Sequence, residues 1–524
     1  MFLYPYVKKV VKSVNHVIMT NRMKKIFTIL CFLSLSLCLQ AQPQFGERPR
    51  LVVGIVVDQM RWDYLSRYYE QFSDGGFRRL IDQGYSCNNC LINYLPTITA
   101  IGHASVYTGT TPAFHGICGN SFAIDGRRTY CTADSTVQAV GTEGRRGQHS
   151  PSNMLSTTIG DQLRLHTDFR SKVVGVSYKD RAAILPAGHS ANAAYWLDTK
   201  NLCFVSSTYY MQELPVYAKD VNAAIAKNKE AQKAGERIGY SPLCGTLTTD
   251  MAIAALQGEN LGCGEATDML CVSYSETDVI GHEWGTRGER TDAAYLELDK
   301  DLARLLKAID EQVGKGNYLL FLTADHGAAH NWHFMNDHHL PGGPIYMENL
   351  RKNIEEAVKA KLRNTKPVVT GIYDYRVYLD HKAIAEQGLD LQLVKDAVVD
   401  YLRTADGVVT VVDFERARTS ALPQLLVDRV LMGYHPRRSG DIVIIPEPQH
   451  YSWWDNTVAT HTTHGEWNPY DAHIPLLFFG WKVNHGATSR EVHINDIAPT
   501  VCQMLHIQQP NACSGEAITE LTDK

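Results

Sequence analysis

Short apolar runs of strand length, separated by stretches with helical periodicity, are the strongest constraint on this 524-residue chain. They are Leu51 to Val57, Val173 to Val176, Met269 to Tyr274, Tyr318 to Thr323, Asp441 to Ile445 and Ile474 to Phe479. Each has the length and composition of a β-strand. The clearest helical pattern spans Thr291 to Val313, with Leu298, Leu302, Leu305, Leu306, Ile309 and Val313 on one stripe and Gly314 as a stop. This alternation predicts an α/β domain built on a mostly parallel sheet. Between Gly327 and Asp441 the pattern changes, and an inserted α+β subdomain is expected at about 328–440. A shorter insertion is expected at about 195–245, where Tyr and Lys are frequent and strand periodicity is weak.

The N-terminus has its own signature. Met23-Lys24-Lys25, the apolar Ile26 to Leu39 and Gln40-Ala41-Gln42 form a complete secretory signal. Residues 1–41 therefore read as a leader, with Met23 as a plausible true start and 42–524 as the mature chain. The apolar stretch is too short for a comfortable membrane span. Leu37 before Cys38 fits a lipoprotein cleavage site poorly. Periplasmic export of a monomer without membrane insertion is the expectation. A net charge of −5 suggests no basic surface for nucleic acid. Twelve cysteines occur, and Cys87/Cys90 form a C-x-x-C without a second pair, so a local disulfide or two buried thiols are expected rather than a thiolate zinc site.

Chemistry concentrates just beyond the strands, where open parallel sheets place ligand sites. Asp58 follows the first run, Asp278 and His282 follow Met269 to Tyr274 with D-x-x-x-H spacing, and Asp325-His326 follows Tyr318 to Thr323. Taken alone, each is as well explained by a helix cap or a surface histidine. Together with His464 in His461-Thr462-Thr463-His464-Gly465, they form a mixed carboxylate and imidazole set without thiolate, which suits catalytic zinc. His461 is a rival for His464. Thr99, in Leu95-Pro96-Thr97-Ile98-Thr99-Ala100, is a nucleophile candidate at a helix start, where a plain N-cap is the commoner role.

These segments resemble the alkaline phosphatase superfamily, in particular the phosphate-irrepressible, PafA-type alkaline phosphatases of Gram-negative bacteria. The resemblance rests on Val57-Asp58-Gln59-Met60, Pro96-Thr97-Ile98-Thr99, His115-Gly116-Ile117-Cys118-Gly119-Asn120, Lys179-Asp180-Arg181, Ser275 to His282, Thr323 to Gly327, Thr463-His464-Gly465 and Asn495 to Thr500. It implies an alkaline-phosphatase-like three-layer sandwich and two Zn2+ per chain. Asp278, His282 and His464 would hold one zinc, and Asp58, Asp325, His326 and Thr99 the other. It further implies that Thr99 is transiently phosphorylated and that Asn120, Lys179 and Arg181 bind the phosphoryl oxygens of phosphate monoesters. A nucleotide pyrophosphatase/phosphodiesterase of the same superfamily is the nearest alternative, and Lys179 and Arg181 weigh against it. A catalytically silent secreted metal-binding module is the alternative of another class, which a retained nucleophile disfavours.

Overall fold

The computed structural model describes residues 47–453 and 461–522, so the expected leader and its cleavage site lie outside the described residues. The chain divides into Met1–Glu47 and Arg48–Lys524, and every element named here belongs to the second unit.

A mixed ten-stranded sheet organises the fold. In chain order its strands are β1 (Leu51–Val57), β2 (Tyr85–Cys87), β3 (Ala139–Val140), β4 (Val173–Ser177), β5 (Ala193–Asp198), β6 (Cys203–Ser207), β7 (Asp268–Tyr274), β8 (Tyr318–Thr323), β9 (Leu476–Gly480) and β10 (Gly486–Thr488). Across the sheet they run β10-β2-β9-β8-β1-β7-β4-β5-β6-β3. The five central strands from β8 to β5 are parallel, and β9 and β6 join them antiparallel. Every residue of β1, β4, β7 and β8 is buried, which is why their sequences are unbroken apolar runs. Register is tight, with Val53 opposite Leu270 on one side and Leu320 on the other.

Helices lie on both sides of this sheet, making an α/β fold. Four of them position the site: α1 (Thr99–Thr108), α2 (Asp180–Ala187), α3 (Glu276–Trp284) and α4 (Glu289–Val313). The apolar stripe of α4 is buried as its periodicity predicts, and Gly314 ends the helix with φ 90°.

Two expectations of the sequence are revised. The region expected as an insertion at 195–245 begins inside the main sheet, because β5 and β6 are both strands of it; Trp196, Tyr195 and the serines of β6 are buried and conceal an apolar periodicity. The run Asp441 to Ile445 is a strand, Ile442–Pro446, but it belongs to a separate four-stranded sheet. That sheet orders Val369–Tyr373, Arg376–Leu379, Ile442–Pro446 and Val408–Asp413, so it extends past residue 440, the expected end of the insertion. Ile442 and Ile444 face one apolar cluster with Ile354 and Val398, while Val443 and Ile445 face another with Leu95 and Phe414. Burial on both sides gave this strand the same continuous signature as the central parallel strands.

Candidate metal centre and active site

The four strands that end at the site are neighbours, in the order β8-β1-β7-β4. Asp325 and His326 follow β8, Asp58 follows β1, Asp278 and His282 follow β7, and Lys179 and Arg181 follow β4. Because the strands are parallel, all of these residues emerge at one edge, which is the geometric reason for their convergence. Asp278 and His282 lie four residues apart on α3, so they share a face, with Oδ1 and Nε2 3.0 Å apart.

Two groups of donors result. Asp278, His282 and His464 offer one ligand atom each, all within 4.8 Å of one another, and Asp58, Asp325 and His326 do the same. Each histidine is oriented by a backbone carbonyl: His282 Nδ1 meets Thr462 O at 2.7 Å, His326 Nδ1 meets Gly327 O at 2.9 Å and His464 Nδ1 meets Thr97 O at 2.7 Å. With Nδ1 engaged by a carbonyl, Nε2 of all three is directed at the carboxylates, the arrangement of metal-ligating imidazoles. The rival His461 is instead bound through Nδ1 to Glu283 O at 2.6 Å.

The electrostatics suit cations. Burial and the neighbouring Asp325 push the Asp58 carboxyl well above the usual carboxylate range, with Lys179 pulling against them. Burial also lifts Asp278 and Asp325, but His282 and Lys179 hold the first well below its ordinary value, and His326 and His103 do the same for the second. Burial lowers His326 and His464 from the ordinary histidine value, whereas at His282 the neighbouring Asp278 overcomes burial and raises it. Asp58 Oδ1 is buried without a hydrogen-bond partner, 3.4 Å from His326 Nε2. An orphaned carboxylate oxygen among carboxylates that repel one another fits a divalent cation, and the oxygen and imidazole donors without thiolate fit zinc.

Thr99 opens α1, and its Oγ1 lies 3.2 Å from His326 Nε2. Gly102 permits this approach, since a Cβ there would lie 2.3 Å from the Asp325 carbonyl oxygen. Lys179 Nζ bridges the two groups, 2.7 Å from Asp58 Oδ2 and 2.5 Å from Asp278 Oδ2. Asn120 Oδ1 accepts from Ala100 N at 3.2 Å, which turns its Nδ2 donors away from the helix. Asn120 lines a cleft of about 460 Å³ together with His282, His464, Tyr240, Tyr375 and Trp453. Arg181 donates to the Tyr130 hydroxyl at 2.9 Å and lines an adjoining cleft of about 290 Å³ with Lys179.

Sequence reasoning missed several residues of this site. Gln59, in the left-handed region at φ 64°, donates from its backbone to Asp325 Oδ1 at 3.1 Å and from Nε2 to Asp278 Oδ1 at 2.6 Å, so it touches both donor groups. His103, fully buried, lies with Nδ1 2.9 Å from Thr99 O and 3.1 Å from Asp325 Oδ2, and its Nε2 meets Ser273 Oγ at 2.8 Å. One signal for His103 was available: it stands one helical turn after Thr99. Asp374 and Tyr375 reach the cleft from the four-stranded sheet and Trp453 from the strand His450–Trp453, and no local pattern marks them.

The profile of the Type I phosphodiesterase / nucleotide pyrophosphatase family matches residues 52–467. A Myroides odoratus protein named calcium-transporting ATPase is 43% identical, covering 91% of this chain and 95% of its own. Alkaline phosphatase PafA of Elizabethkingia meningoseptica is 42% identical, covering 90% and 94%. A crystal structure of wild-type alkaline phosphatase PafA superposes with a TM-score of 0.87 at 41% identity, covering 92% of this chain and all of that one. The chain therefore belongs to the alkaline phosphatase superfamily, in its PafA-type branch, and is a hydrolase acting on phosphate monoesters. Among the described residues no helix is long and apolar enough to cross a membrane.

Proposed function

We propose that this chain hydrolyses phosphate monoesters through a phosphorylated Thr99 and carries two zinc ions. Asp278, His282 and His464 would hold one, and Asp58, Asp325, His326 and Thr99 the other. The observation that carries this reading is the meeting of two Asp/His donor groups with the Thr99 hydroxyl, 3.2 Å from His326 Nε2, at one edge of the sheet. When bound, a zinc pair supplies Lewis acidity to the attacking and leaving oxygens of an in-line displacement.

The chain's own residues supply the rest. Thr99 Oγ1 forms a bond to phosphorus as the ester P–O bond breaks and the alcohol departs; water then cleaves phospho-Thr99 and releases inorganic phosphate. The start of α1 gives the nucleophile a favourable potential for negative charge. Lys179, held between Asp58 and Asp278, would offer its positive charge to the phosphoryl oxygens. Asn120 offers its Nδ2 donors, and Arg181 a guanidinium held by Tyr130. Two cations beyond the metals support a dianionic monoester over a diester, which has less charge on its terminal oxygens. The signal-like segment ending at Ala41 supports a secreted, periplasmic enzyme, and a monomer is the oligomeric state we propose.

Stripping the protein with a chelator, reloading zinc and comparing an aryl phosphate monoester with the matching diester tests this reading. Zinc-dependent preference for the monoester is expected. Replacing both Lys179 and Arg181 by Ala should depress monoester turnover far more than diester turnover. A preference for the diester in the parent enzyme would overturn the substrate assignment.

A further inference from the structure

The hairpin Val369–Tyr373/Arg376–Leu379 belongs to the inserted substructure, yet its tip lies in the catalytic cleft. Its two-residue turn is Asp374-Tyr375, with φ 49° and 62°. Turns of this kind ordinarily use Asn-Gly, because a side chain such as tyrosine is costly at positive φ. Backbone strain at a site edge points to a use for these particular side chains.

Each residue at the tip touches a different segment of the site. Tyr375 packs against Gly465, where a Cβ would lie 2.5 Å from its ring, beside His464. Asp374 covers Gly119, where a Cβ would lie 2.3 Å from Oδ2, beside Asn120. Arg376 is 1% exposed and donates to three backbone carbonyls: from Nη1 to Cys118 O, and from Nη2 to Gly433 O at 2.9 Å and Leu95 O at 3.3 Å. Cys118 stands two residues before Asn120, and Leu95 four residues before Thr99. A buried guanidinium is expensive to desolvate, and a purely apolar core has no use for it. Its planar fork can hold carbonyls from separate segments at fixed spacing, which a single ammonium cannot.

We infer that Arg376 is a positioning residue that sets the Asn120 amide against the phosphoryl group, and that the inserted substructure thereby tunes the phosphate site. This rests on the reading of Asn120 as a phosphoryl-oxygen donor. Asp374 closes the same loop from the cleft side.

A double-mutant cycle tests it. Arg376→Met, Asn120→Ala and the double variant are compared as zinc-loaded full chains for kcat/KM on an aryl phosphate, inhibition by inorganic phosphate, zinc content and melting temperature. Arg376→Met alone should lower kcat/KM by about tenfold and weaken inhibition by phosphate, with zinc content unchanged. In the Asn120→Ala background the same substitution should cost less than about threefold, since the amide it positions is gone. Equal losses in both backgrounds, or a loss matched by the unfolded or zinc-depleted fraction, would overturn the inference. An Asn120→Ala enzyme with parental kcat/KM and phosphate inhibition would instead overturn the reading of Asn120 itself, and with it this one. Should Arg376→Met fail to fold, Arg376→Lys carries the same cycle, because lysine keeps the charge but lacks the fork.

Discussion

At the scale of single residues, the site depends on side chains whose orientation is set by partners remote in sequence. Thr99→Ala removes the hydroxyl beside His326 while leaving the buried start of α1 otherwise intact. It should reduce turnover more than about a thousandfold with little change in melting temperature. Activity near the parental level in steady-state assays would place the nucleophile elsewhere. Gln59 acts differently, because its amide orients Asp278 through a 2.6 Å hydrogen bond. Gln59→Leu keeps bulk in the space left by Gly281, where a Cβ would lie 2.0 Å from Gln59 Oε1, but loses the donor. Partners of ligating carboxylates are worth about 10–100-fold in metal affinity, so zinc titration in a metal buffer should show a loss of that order. An unchanged affinity would reduce Gln59 to a space-filling role.

At the scale of elements, α1 and β8 must approach more closely than side chains usually allow. Alanine at 102 would gain about 1 kcal/mol of helix propensity. Yet its Cβ would meet the Asp325 carbonyl oxygen at 2.3 Å, a backbone atom that cannot rotate away. The clash should win: overpacking of this kind costs about 1–3 kcal/mol, and relieving it shifts Thr99 relative to His326. Gly102→Ala is therefore expected to lower the melting temperature by about 1–3 °C and kcat/KM by about a hundredfold, the scale of a 1 Å misplacement. Thermal melts and kinetics that both match the parent would show that the two elements are not in close contact. Element scale is also where the sequence was hardest to read. The strands β1, β4, β7 and β8 were legible because burial on both faces leaves an unmistakable apolar run. Ile442–Pro446 carries the same signature while lying between two other apolar clusters, and β5 hides behind Trp196 and Tyr195.

At the scale of the whole molecule, buried acids make stability depend on pH. Glu466, fully buried beside the His464 loop, receives hydrogen bonds from Tyr470 and from Asn468 at 3.1 Å. Burial outweighs these bonds and pushes its carboxyl up to about 8. An unfolded glutamate titrates near about 4.3, so between these values the folded state keeps a proton that the unfolded state has lost. Stability from this group is complete below the unfolded value and falls as pH rises through the folded one, by at most about 1.4 kcal/mol per pH unit. Glu466→Gln cannot ionise, so the difference in melting temperature between variant and parent should move in the variant's favour from pH 5 to about 8. A difference that stays flat across that range would show that Glu466 is ionised in the folded protein.

By itself the sequence determined the strands β1, β4, β7 and β8, the long amphipathic α4 and the placement of carboxylates, histidines and Lys179 just past strand ends. These follow from burial and periodicity, which each segment carries locally. Only tertiary structure decided that β8, β1, β7 and β4 stand side by side, that His464 rather than His461 joins Asp278, and that Gln59, His103 and Arg376 support the site. Those outcomes depend on contacts between residues tens to hundreds of positions apart, and no local pattern of hydrophobicity or charge encodes which distant partner a buried polar group will find.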